Sequence, residues 1–165
     1  MASIAIDQAN AYSLMSKVQE TGVPDLDTGE FRLALFGDSF VFNQTHAQWS
    51  EIKANEISEV GYTADGKVIV FNTDGRYSYN ASTGIWTFGP NCDPLDWAAA
   101  DFTLDPVKWG VVYEYIDDDG SADDTSPLVG ALRLESLAAP DDETFRWNFP
   151  AAGIVRMSAQ FVAPE

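Results

Sequence analysis

The sequence predicts an all-β chain, an antiparallel β-sandwich or jelly roll with an N-terminal helix or arm. Three observations predict it. From Phe31 onward, short runs rich in β-branched and aromatic residues recur along the chain. Clusters of Gly, Asp, Asn and Pro separate them, which is the punctuation of strands joined by turns. Hydrophobic residues make up 45% of the 165 residues and aromatics 13%, enough to close one core. The expected division is an arm and helix over 1–24 and a β-domain over 25–165.

The first segment has helical spacing. Asp7 can cap it, Ala11, Leu14, Met15 and Val18 share one side, and Gly22 and Pro24 stop it. Ile4 and Ile6 precede the cap as an apolar arm. Two alternatives stand for this region: a helix packed on its own domain, or an arm that leaves the domain and grips a neighbour. The second makes Ile4, Ile6, Tyr12 and Met15 interface candidates.

The strands follow in order. "FRLALF" alternates Phe31, Leu33 and Leu35 against Arg32, Ala34 and Phe36. The polar stretch after it is irregular, with a short helix expected around Ser50–Ala54. "KVIVF" reads as a strand from Lys67 to Phe71 and "TDG" at Thr73–Gly75 as a turn. "RYSYN" and "GIWTF" flank "ASTG" as a hairpin. "WAAADFTL" comes next. "KWGVVYEYI" puts Trp109, Val111, Tyr113 and Tyr115 on one face. "LVGALRLESL", "ETFRWNF" and "GIVRMSAQFV" complete the set.

Function classes are narrowed by charge and by single residues. Nine basic against 26 acidic residues give a formal net charge of −17. Such a surface repels nucleic acid and anionic membrane, which need clustered Lys and Arg. It suits solubility, high salt or a basic partner. Cys92 is the only cysteine and His46 the only histidine, so neither a disulfide framework nor a structural zinc site is expected within the chain. The first twenty residues lack the basic and apolar regions of a secretory signal, and no apolar run approaches membrane-spanning length.

"LFGDSF" resembles the nucleophile block of GDSL-type esterases. That family takes the serine proton with a histidine three residues after an aspartate, near the C-terminus. Here no Asp-x-x-His occurs, and His46 lies only seven residues after Ser39. A serine without a base in reach is a poor nucleophile. Ser39 is therefore expected in a turn, and the chain is expected to be no enzyme. Pairs such as Glu51 with Glu56 arise by chance in a chain this acidic and do not identify a glycosidase.

Two further features point to binding. "IDDDGSADDTSP" carries Asp117, Asp119 and Asp123, oxygen ligands of the kind calcium takes, although the glycine and closing glutamate do not match an EF-hand. The alternative is a solvated loop between strands. No other cofactor is expected. Among five tryptophans, Trp109 and Trp147 are expected in the core. Trp49 and Trp97 adjoin loops and are expected to be exposed, as contact residues.

The order of segments resembles a group of small tailed-bacteriophage virion proteins. The matching pieces are "EFRLALF", "ANEISEVGYTADGKVI", "WAAADFTLDPVKWGVVYEYIDDDGSADDTSPLVGALRL" and "TFRWNFPAAGIVRM". The stretch "FNTDGRYSYNASTGIWTFGPNCDPLDW" departs from the pattern by its length and aromatic content. The resemblance implies a capsid decoration (cement) protein, homo-oligomeric on the particle, that binds the major capsid protein or another virion protein. It places the chain in the virion, made in the host cytoplasm. The alternatives are a tail or fibre-associated component and a carbohydrate-binding β-sandwich module.

Overall fold

The structure, a computed structural model, describes residues 4–6, 24–25, 28–43, 45–58, 61–72, 76–80, 82–83, 85–97, 106–138 and 145–158. In chain order its strands are β1 (Ile4–Ile6), β2 (Glu30–Gly37), β3 (Lys67–Val68), β4 (Tyr77–Asn80), β5 (Ile85–Phe88), β6 (Leu95–Trp97), β7 (Val107–Tyr115), β8 (Asp117–Asp118), β9 (Ser121–Ala122), β10 (Leu128–Ala138), β11 (Phe145–Trp147) and β12 (Val155–Ser158). The strand pairs are antiparallel, so the chain is all-β as its pattern predicts. The helix expected after Asp7, with Tyr12 and Met15, and the turn at Thr73–Gly75 lie outside the described residues.

A five-stranded sheet in the order β1-β10-β7-β2-β3 organises the domain. Its centre is the β2–β7 pair, in register from Glu30 with Tyr115 to Phe36 with Trp109. The simple alternation expected for "FRLALF" fails, because Phe31, Leu33, Ala34, Leu35 and Phe36 are all buried. Both faces of this strand are covered. A strand covered on both sides reads as a nearly continuous apolar run.

Each face carries its own hydrophobic cluster. Leu33, Leu35, Val112 and Leu132 point to one side, where Trp97, Phe145, Trp147, Phe88 and Ile154 close over them. Those covering residues come from two small sheets, β11-β6 and β12-β5-β4, and from Ile154 just before β12. Ala34, Phe36, Val111, Tyr113 and Ala131 point to the other side, under Phe40, Trp49 and Ile52. Trp109, Val111, Tyr113 and Tyr115 do share this second face, as the period of two requires.

One glycine is needed for this layering. A Cβ on Gly110 would lie 2.7 Å from Cη2 of Trp147 and 2.9 Å from Cδ1 of Leu33. The absence of a side chain in the middle of β7 is what lets the Trp147 indole lie on the sheet. The "ASTG" hairpin forms as expected, with β4 and β5 paired from Tyr77–Phe88 to Asn80–Ile85. "KVIVF" is a strand only over Lys67–Val68, since Phe71 turns away to bridge Cys92.

Candidate functional site

The polar groups of interest fall on three pieces: the turns after β2, the cluster of Glu56, Tyr62 and Asp65, and the β8–β9 hairpin. Asp38 and Ser39 form the turn that ends β2, with the Phe40 amide donating to the Gly37 carbonyl at 3.3 Å. Ser39 is exposed there. The His46 imidazole is held locally, its Nδ1 accepting the Asn43 amide at 3.3 Å and its ring meeting Phe42 edge-on.

The next turn corrects one expectation. Trp49 opens two consecutive 3₁₀ turns, Trp49–Glu51 and Lys53–Asn55, close to the short helix expected at Ser50–Ala54. Glu51 fixes the first by accepting the Gln48 amide at 2.8 Å. Trp49 is not exposed. It is 1% accessible, stacked on Tyr113 with centroids 4.3 Å apart, and edge-on to Phe36. Its amide donates to the Ser126 carbonyl at 2.8 Å, which ties the turn to the far end of the acidic loop. A large flat side chain beside a loop is buried when the loop itself is the lid.

Trp97 is the second correction. It is fully buried in β6, packed against Phe145 and Tyr62, with the Lys67 ammonium 5.4 Å from its ring. Trp147 is core as expected, whereas Trp109 is only half-buried at the rim of the second cluster, under the Arg133 guanidinium. The other two interface candidates that are described, Ile4 and Ile6, lie in β1 and pair with Leu134 and Leu132 on the edge of this same chain's sheet.

The acidic loop is an ordered hairpin. Asp119 and Gly120 have φ of 51° and 91°, which is the two-residue turn that matches strand twist. Asp117 Oδ1 accepts the Gly120 amide at 3.1 Å and the Tyr115 hydroxyl at 3.0 Å. Asp123 Oδ1 accepts the Thr125 amide at 2.6 Å, and the Thr125 hydroxyl and amide hold its carboxyl below the usual carboxylate range. Asp124 pairs with Lys53. The carboxylates thus serve separate turns, and among the described residues no three His, Cys, Asp or Glu side chains converge as a metal site.

The most perturbed acid is one that sequence did not single out as a site. Glu56 is half-buried and bridges to Phe36 at the edge of β2. Its Oε1 accepts the Tyr62 hydroxyl at 2.6 Å and its Oε2 the Asp65 amide at 3.2 Å. Burial pushes its carboxyl up to about 7, with the Asp65 charge adding to this and the Tyr62 hydroxyl opposing it. Tyr62 Oη in turn accepts the Leu35 amide at 3.0 Å, and the Asp65 carbonyl accepts the Tyr113 hydroxyl at 2.6 Å. The signal in the sequence was limited to the "ADG" turn. The partners lie up to 48 residues apart, beyond any local pattern.

Cys92 is half-buried and donates its S–H to the Gly89 carbonyl at 3.4 Å. Burial pushes its thiol up to about 12, so it is a packing residue rather than a nucleophile. No described helix is long and apolar enough to cross a membrane. Comparison of the chain with protein-family models, curated proteins and solved structures gives no match.

Proposed function

We propose that the protein is a non-enzymatic structural component of a bacteriophage particle, of the decoration type, which binds an assembled shell in many copies. The observation that carries this reading is the edge addition of β1. Three residues at the N-terminal end pair with Leu132–Leu134 of β10, while residues 7–29 separate them in sequence from β2. Backbone pairing at a sheet edge is a general way for one chain to hold another. Backbone pairing of this kind is open to the same strand on its own sheet or on a neighbour's.

Charge supports the same reading. Arg32, Lys53, Lys67, Arg76, Lys108, Arg133 and Arg146 are each engaged within the chain, by a carboxylate, a carbonyl, an aromatic ring or another group of the fold. The surplus of 17 negative charges therefore dominates the outer surface and suits a basic or polar rim on the shell. The resemblance of the segments from Phe31 onward supplies the particle. A sugar-binding module is less well supported, because Trp49 and Trp97, the tryptophans expected to be exposed, are buried.

The test is to locate the protein on purified particles by electron microscopy and to count copies by mass spectrometry. Hundreds of copies on the head agree with the proposal. A dozen or fewer place it in the tail, and absence from every particle refutes it. Deleting residues 1–20 is expected to lower occupancy while the β-domain still folds.

A further inference from the structure

We propose that the outer edge of β4 is a self-association surface, at which two copies of this chain join their three-stranded sheets into one six-stranded sheet about a two-fold axis. The argument begins with charge. The chain holds 26 acidic residues, yet 75–92 and 144–164 contain none, and these are its two longest acid-free stretches. The fold brings them together. β4 and β5 come from the first and β12 from the second, and they form the sheet β12-β5-β4. Its three strands carry no carboxylate, while Arg76 precedes β4 and Arg156 lies in β12. Copies that each bear a net charge of −17 repel one another. Contact through this sheet sets no strand carboxylate against another.

The edge supplies the means. β4 is the edge strand of that sheet, and among the described residues no strand pairs with its outer side. On its inner side the Gly89 amide donates to the Arg76 carbonyl at 2.7 Å, and Ser78 lies opposite Thr87 two residues further along each strand. Bonded pairs alternate in an antiparallel ladder, so Tyr77 and Tyr79 turn their N–H and C=O groups away from β5. The edge is unguarded. Residues 76–80 hold no Lys, no Pro and no acid, and the pairing with β5 runs from Tyr77–Phe88 to Asn80–Ile85 without a register shift. The opposite edge differs: β12 sits against the main sheet, with Val155 Cγ2 3.8 Å from where a Cβ on Gly130 would lie.

Two copies of this edge fit each other. Tyr77-Ser78-Tyr79 reads the same in both directions. Antiparallel pairing centred on Ser78 puts Tyr77 of one copy opposite Tyr79 of the other, twice over. Each such pair exchanges two N–H···O bonds, so all the outward groups are used. Ser78, which is exposed, then faces its own counterpart in the unbonded position, where Cα atoms lie about 4.5 Å apart. The contact is isologous and closes at two copies. It belongs to the free chain and goes beyond the particle reading.

Sedimentation equilibrium of the full chain tests this. A dimer with a Kd of about 100 µM or tighter is expected, as suits a contact at the small end of specific interfaces. Raising NaCl from about 0.05 M to about 0.5 M should tighten it at least about threefold, because salt screens the repulsion between the copies. Tyr79→Pro removes an amide that faces away from β5, so the sheet survives while the dimer weakens at least about tenfold. Ser78→Glu sets two like charges face to face and should weaken it at least about threefold. With oxidised glutathione, Ser78→Cys should give a disulfide-linked dimer, since the facing Cα separation is within disulfide reach. Asn80→Cys, which faces residue 76 of the other copy, should not. A chain that stays monomeric at about 500 µM and about 0.5 M NaCl, where screening is strongest, overturns the proposal. So does a dimer that Tyr79→Pro and Ser78→Glu leave unchanged, or one that cross-links as readily through Asn80→Cys as through Ser78→Cys. If Tyr79→Pro does not fold, the cross-linking pair decides.

Discussion

Replacing Gly110 by Ala tests the layering of the domain directly. The added methyl would sit 2.7 Å and 2.8 Å from two indole carbons of Trp147 and 2.9 Å from Leu33 Cδ1. All three are side-chain atoms, but Trp147 is 1% accessible and Leu33 is fully buried, so neither can swing into solvent. Overpacking of this kind costs about 1–3 kcal/mol. The lower chain entropy of unfolded Ala returns about 0.4–1 kcal/mol. The net expectation is a loss of about 1–2 kcal/mol in urea-induced unfolding, with the slope unchanged. Trp147→Phe removes the ring edge that the methyl meets. It also removes an indole N–H that has no acceptor among the described residues, which offsets part of its own cost. The double variant should therefore be more stable than the sum of the singles by about 1 kcal/mol. Strict additivity, or a Gly110→Ala protein as stable as the natural one, would show that β11 does not lie on β7 as described.

Three other outcomes follow from the same contacts. Trp49→Ala should destabilise by about 3–5 kcal/mol in the same assay, since it empties a fully buried site between Tyr113 and Phe36; a surface-sized effect would mean that the 3₁₀ turn does not close over the sheet. The stability of the natural chain, relative to Glu56→Gln, should fall by about 3 kcal/mol from pH 4.5 to pH 7 and then level off, because the raised acid of the folded state loses its proton across that window; parallel pH profiles would contradict it. Cys92 should react with a thiol reagent at pH 8 at least about a hundredfold more slowly in the native protein than in denaturant, given a thiol pushed up to about 12.

The sequence carried the class of the fold because that class depends on local punctuation. The "ASTG" hairpin, the end of β2 at Gly37 and the shared face of Trp109, Val111, Tyr113 and Tyr115 are all set by residues within a few positions of one another. What it did not carry was cover. Whether Phe36 faces solvent depends on Phe40, Trp49 and Ile52, which return over the second face from outside the strand. The same return buries Trp49, whose loop neighbours suggested exposure. Trp97 is buried for a related reason. Its strand has three residues, and its burial comes from pairing with Phe145, 48 positions away, and from Tyr62. The Glu56 network was illegible because each of its bonds joins a polar stretch to a different strand.

The distribution of cations explains how so acidic a chain holds a core. Arg76 lies 5.1 Å from the Phe71 ring and 5.8 Å from Phe31, and it also donates to the Gly29 carbonyl. Arg32 covers Tyr115 at 3.3 Å, Arg133 covers Trp109 and Lys67 faces Trp97. Each of these cations lies over an aromatic ring, whose negative face attracts a cation and would repel an acidic side chain. These four basic residues thus serve the packing of the aromatic clusters, which their apolar stems also suit. Attraction to a polyanion would require removing these residues from the rings they face.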